Sequence, residues 1–160
     1  MASLTELNTE VADLCHLNPA PPMTNHPWHE LADRVASQLP QPVQRESSDA
    51  GELLVAGEPS LVAVLVSEDG VVVSTAGKRW EGSYTLVPDY QQFGRLAWSD
   101  LPDAMAEKLE AVRTLVDLAI AVRRATFRTC RYCGRSVPPE FHHADDVCQG
   151  CAERQLGVVH

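Results

Sequence analysis

Three stretches of the chain repeat apolar residues every three or four positions. In the first, Leu4, Leu7, Val11 and Leu14 follow Ser3 and Glu6, which fit a capping box. The pattern predicts a helix over about 4–16, stopped by Asn18-Pro19-Ala20-Pro21-Pro22. In the second, Trp28, Leu31, Val35 and Leu39 predict a helix over 27–39, with Pro27 at its first position and Pro40 and Pro42 beyond its end. In the third, Leu101, Met105, Leu109, Val112, Val116, Ala119 and Ile120 predict a long helix over 101–126. Ser99 or Asp100 would cap it, and Pro102 falls in its first turn. Leu115, Leu118 and Val122 widen its apolar stripe. At ~1.5 Å per residue this helix is about 38 Å long. That is more than a small sheet needs, which leaves surface for other helices, the tail or a second copy of the chain.

Between the second and third stretches the period changes. Residues 40–51 are mostly polar and read as a linker. Short apolar runs follow at Leu53–Ala56, Leu61–Val66 and Val71–Val73. Glu68-Asp69-Gly70 between the last two is a strong hairpin signal. Tyr84 to Val87 reads as a further strand ended by Pro88-Asp89. Gly77-Lys78-Arg79 lacks the remaining residues of a phosphate loop and reads as a hairpin turn. Five of the nine aromatic residues, Trp80, Tyr84, Tyr90, Phe93 and Trp98, lie close together and are expected in a core more than in a pocket. The predicted class is α+β. Residues 1–126 form a body with N-terminal helices, a small, mostly antiparallel sheet over 53–87 and the long helix, and residues 127–160 form a separate module.

Four of the five cysteines define that module. Cys130-Arg-Tyr-Cys133-Gly134 and Cys148-Gln-Gly-Cys151 are two Cys-x-x-Cys pairs, 14 residues apart. This spacing matches a tetrahedral four-thiolate zinc site, in which each pair closes a tight turn on one ion. The expected ligands are Cys130, Cys133, Cys148 and Cys151, and the expected cofactor is one structural Zn2+. Four thiolates leave no open coordination position for catalysis. Disulfides do not suit a chain without an export signal, and no βαβ pattern supports a redox pair. His142 and His143 are expected on the loop between the pairs, and the fifth cysteine, Cys15, in a core.

The charge is uneven. The chain carries −9, but residues 1–122 hold 18 acidic and 7 basic residues, and 123–160 hold 4 and 6. A body at −11 repels phosphate, so nucleic acid could meet only the tail at +2. There Arg123, Arg124, Arg128, Arg131 and Arg135 interleave with Phe127 and Tyr132. These five arginines are candidate contacts for nucleic acid or a partner, or else a counterweight to a helix end and a thiolate-bound metal. His26 with Glu30, and His29 with Asp33, sit at i, i+4 and form a weaker metal candidate. No segment is apolar enough for a membrane span, and nothing at the start reads as a signal peptide, which points to the cytoplasm.

Two families resemble this sequence. Residues 53–156, with Leu118–Phe127 leading into Cys130-x-x-Cys133-Gly134 and then Cys148-x-x-Cys151, resemble the N-terminal region and zinc ribbon of NADH pyrophosphatase, a zinc-containing Nudix hydrolase. The Arg-Glu-apolar-x-Glu-Glu of a Nudix box is absent, so the resemblance implies a metal module without the hydrolase. Residues 127–157 are similar to treble-clef-like zinc knuckles through Cys133-Gly134, Pro138, Phe141 and Cys148-x-x-Cys151-Ala-Glu-Arg. The expected function is a non-catalytic cytoplasmic zinc-binding protein acting as a protein-interaction or regulatory module, with a homodimer possible. The alternatives are a nucleic-acid or ribosome-associated factor and a Nudix-related nucleotide-binding relic.

Overall fold

The computed structural model describes residues 26–158. The helix expected over 4–16, with Cys15, lies outside them. Helix α1 is Pro27–Gln38, as the apolar spacing predicts. It buries Trp28, Leu31, Ala32 and Val35. Five strands follow, β1 (Val43–Ser48), β2 (Gly51–Ala56), β3 (Val62–Ser67), β4 (Gly70–Glu81) and β5 (Thr85–Ala97). They pair in chain order as one antiparallel meander. Helix α2, Met105–Ala125, then crosses the sheet beside α1.

Register sorts the sheet into two faces. Leu54, Val64 and Val73 sit opposite one another, as do Val66 and Val71. These side chains meet α1 and α2 in the main core, with Val112, Val116, Ala119 and Ile120 from α2. Each large apolar side chain buried there contributes about 1.5–3 kcal/mol. The other face carries a small cluster of Val55, Ala63 and Ala76. On this face the Tyr90 hydroxyl titrates above its ordinary range, first from burial and then from the charge of Glu46. Tyr90 is on β5 and Glu46 on β1, the two sheet edges, which in a flat five-stranded sheet would lie ~19 Å apart.

The structure corrects several element boundaries. The linker expected over 40–51 contains β1. Its sequence VQRESS carries no apolar alternation, because an edge strand exposed along nearly its whole length needs none. Gly77-Lys78-Arg79 lies inside β4, and the chain reverses instead at residues 82–84. Pro88 does not end β5 but pairs with Lys78 within it. An edge strand tolerates a missing N–H. Strands thus span 43–97, where 53–87 was expected. The long helix begins at Met105, not at 101. Trp98–Asp100 is a 3-10 turn, and Leu101, held extended before Pro102, is buried outside the helix. Of the five clustered aromatics only Trp98 packs on the core. Trp80, Tyr84, Tyr90 and Phe93 are between 37% and 83% exposed, on strands β4 and β5 and the turn joining them.

Candidate metal centre

Two residues after α2 the chain enters the cysteine-rich module. Strands β6 (Arg128–Thr129) and β7 (Ser136–Val137) form a short antiparallel ribbon, and Cys130 to Gly134 make the turn between them. The Gly134 N–H donates to the Cys130 carbonyl at 2.8 Å, and the Cys130 N–H donates to Arg135 at 2.9 Å. Gly134 has φ +68°, a conformation glycine adopts without Cβ strain. A second small hairpin follows, β8 (His142–Ala144) with β9 (Val147–Cys148). Cys148 ends β9, and Cys151 closes the helical turn Gln149–Cys151, which continues to Leu156. Gly157, left-handed at φ 64°, ends it. One pair thus comes from a knuckle and the other from the start of a helical turn.

The two pairs converge. The four sulfurs of Cys130, Cys133, Cys148 and Cys151 all lie within 4.8 Å of one another. Cys130, Cys148 and Cys151 are buried and Cys133 is exposed. Cys133 Sγ and Cys148 Sγ are 3.9 Å apart, well beyond a disulfide bond. A tetrahedron with metal–sulfur bonds of ~2.3 Å has edges of about 3.8 Å, so the donor set fits a metal ion of this kind. Among the described residues no other group of three or more potential ligands gathers in this way.

The module also arranges donors around the sulfurs. The Cys148 N–H points at Cys130 Sγ from 3.4 Å. That bond, with the Cys133 and Tyr132 amides, lowers the Cys130 thiol to about 6. The Arg135 amide and side chain likewise lower Cys133. Burial dominates at Cys148 and pushes it up to about 11. Arg154 Nη2 reaches Cys151 Sγ at 3.4 Å, and Arg135 is held charged by Cys133. Backbone N–H groups and two guanidinium groups thus converge on the sulfur cluster.

The arginine run looks different in three dimensions. Arg123 is buried and paired with Glu140. It also donates to the Ser60 carbonyl at 3.3 Å and lies 5.2 Å from the Phe127 ring centre. It is therefore no part of an exposed patch. Arg128 pairs with Asp145 at 3.4 Å, and Arg131 with Asp146 at 3.6 Å. Arg131 also stacks over Tyr132. Arg124 alone of the five has neither an acidic nor a thiolate partner among the described residues. His142 is in β8, not on a loop, and its ring lies 2.9 Å from the Val137 carbonyl, tying one hairpin to the other.

Glu140, which sequence reasoning did not single out, fastens the module to the body. Its carboxylate takes Arg123 from α2 and the Lys78 N–H from β4 at 3.3 Å. Its carbonyl accepts from Trp80 Nε1 at 2.9 Å and from the Gln149 amide at 3.3 Å. Gly77 makes room for the arginine, since a Cβ there would stand 3.1 Å from the guanidinium. Beside this junction lies a cleft of about 580 Å³, walled by Pro42, Pro59 and Lys78 from the body and by Arg135, Pro138 and Phe141 from the module.

Glu52 was missed as well. It is buried on β2, where it takes His29 from α1 and Arg45 from β1. Arg45 also reaches Asp33 at 2.5 Å, and these bonds hold its guanidinium charged. This network joins His29 and Asp33 through salt bridges rather than around a metal. His26 stacks on Trp28, with ring centres 4.2 Å apart. The alternation of Glu52 with Leu54 and Ala56 was the available signal, because it sets all three on the helix-covered face.

No helix among the described residues is long and apolar enough to cross a membrane. No family model, curated protein or solved structure matches this chain.

Proposed function

We propose that this chain is a non-catalytic zinc protein, in which Cys130, Cys133, Cys148 and Cys151 hold one structural Zn2+. The ion stabilises a small module whose surface, together with the acidic body, binds a partner protein. The observation that supports this most is the convergence of the four sulfurs, three of them buried, with Arg135 and Arg154 turned toward them. Four thiolates fill a tetrahedral shell and leave no position for a substrate. Bound zinc would supply the folding energy of the tail, on the order of 10 kcal/mol or more. Nucleic-acid binding through 123–135 is the weaker reading, since Arg123, Arg128, Arg131 and Arg135 already face Glu140, Asp145, Asp146 and Cys133.

Elemental analysis of purified protein tests the metal. About one zinc per chain is expected, lost in Cys148→Ser; substoichiometric metal after growth and refolding with zinc would refute the reading. Titration with single-stranded RNA and duplex DNA at low salt tests the other half. Binding that weakens with salt and is lost in Arg124→Glu with Arg128→Glu would replace the partner-protein reading with the nucleic-acid one.

A further inference from the structure

Helix α2 carries a second apolar stripe, whose carboxy-terminal half stays exposed among the described residues. Val112, Val116, Ala119, Ile120 and Arg123 face the sheet. Around the helix from them lie Ala111, Leu115, Leu118, Val122 and Ala125, spaced 4, 3, 4 and 3 residues apart. Ala111 and Leu115 pack in part on the main core, whereas Leu118, Val122 and Ala125 are exposed, at a spacing that suits contact with another helix. Leu118 is 53% exposed and Val122 49%. Leu115 packs closely over Gly94 of the edge strand β5, and Phe93, 37% exposed, stands at the bulge beside Gly94. The next turn of the surface is Thr114 and Ala121, small enough for close approach.

Charge identifies the occupant. The amino-terminal end of the stripe is flanked by Glu107 and Glu110, neither of which has an ion-pair partner among the described residues. The carboxy-terminal end is flanked by Arg124, also unpaired, and by Arg128, which meets only the exposed Asp145. A second copy laid antiparallel about Leu115–Leu118 sets each acidic end against a basic end. It also opposes the two helix dipoles. A parallel pair would set like charges together. We infer that this face of α2, with Phe93, is the interface of an antiparallel homodimer with a two-fold axis. The apolar stripe and its acidic end lie on α2, outside the cysteine-rich module, so only the contribution of Arg128 rests on the metal reading. Two heptads and one aromatic ring make a patch at the low end of specific interfaces, near or below ~1,200 Å² in total, so association should follow concentration.

Sedimentation velocity on the full zinc-loaded chain, from micromolar to several hundred micromolar, tests it. The mass should climb from 17.5 kDa toward twice that value. Leu118→Glu with Val122→Glu should abolish the rise while the circular dichroism spectrum stays unchanged. One charge variant, Glu107→Arg with Glu110→Arg, and another, Arg124→Glu with Arg128→Glu, should each weaken self-association at least tenfold. Mixed together they should restore it, since both ends of the pair are then attractive. A monomer at every concentration, or a dimer indifferent to Leu118→Glu with Val122→Glu, would overturn the proposal. So would self-association that emerges only when residues 1–25 are deleted, which would show that the chain's own amino-terminal segment covers the stripe. If neither charge variant weakens the dimer, or their mixture fails to restore it, the antiparallel arrangement is wrong.

Discussion

Replacing Glu140 by alanine should loosen the cysteine-rich module from the body. The carboxylate lies against Arg123, and the two side chains are only 6% and 9% exposed, so water screens little of the interaction. Removing it leaves a buried guanidinium with the Ser60 carbonyl, Thr126 and the Phe127 ring, and leaves the Lys78 N–H without its acceptor. Breaking a buried ion pair from one side costs about 3–5 kcal/mol, because the surviving charge stays desolvated. With a urea slope of about 2 kcal/mol/M, that is a fall of roughly 2 M in the unfolding midpoint. Glu140→Gln keeps a neutral acceptor and should lose less. Arg123→Met with Glu140→Gln removes both charges and should recover part of the loss. Urea unfolding of the zinc-loaded protein, followed by tryptophan fluorescence and separately by circular dichroism, reads all three variants. Trp80 donates to the Glu140 carbonyl, so it reports the junction directly. Should Glu140→Ala stay within about 0.5 kcal/mol of the natural chain, the pair is not what fastens the module.

Zinc binding should weaken as pH falls, because the ligands must be thiolates. In the folded module at neutral pH Cys148, pushed up to about 11, must release its proton on binding, whereas Cys130, held near 6, is already ionised; a tail that unfolds without metal would instead show four ordinary thiols and no step near pH 6. Below about pH 6 Cys130 protonates too, and the dependence should steepen by one proton. Competition with a chromophoric chelator between pH 5 and 8 measures this, and a flat affinity would contradict the assigned ligands. Cys148→Ser should leave residues 128–157 open to proteases while the sheet stays folded; equal protease resistance in the variant would remove the structural role. Glu52→Ala strands Arg45 and His29 at the α1–sheet junction and should cost about 3 kcal/mol, given a buried carboxylate with partly exposed partners. Thermal unfolding checks it, and an unchanged midpoint would mean that α1 is held by its apolar face alone.

What the sequence revealed depended on how local the cause was. The β3–β4 hairpin follows from Asp69-Gly70 between valine runs, and the structure turns there. The helices at 27–38 and 105–125 follow from apolar spacing, and the sulfur cluster from two short spacings. β1 was illegible because an exposed edge strand is specified by the neighbour it pairs with, not by its own pattern. The arginine run misled for the opposite reason. Its members are adjacent in sequence, but their partners, Glu140, Asp145 and Asp146, arrive from beyond the first knuckle. Nothing in the local pattern of Pro138-Pro139-Glu140-Phe141 marks its glutamate as the fastening of the module. Only the approach of α2, β4 and the module to one point gives it that role.

The chain-order pairing of the five strands also bears on how the protein reaches this state. Each strand finds its partner among residues just synthesised, so the sheet closes only short loops. The bonds from Lys78 and Trp80 to Glu140 span about sixty residues and join segments that leave the ribosome far apart in time. Docking of the cysteine-rich module is thus expected to follow formation of the sheet. On the proposal that the four cysteines hold zinc, a cell short of it would accumulate chains with a finished sheet, an unseated tail and the indole of Trp80 still facing water.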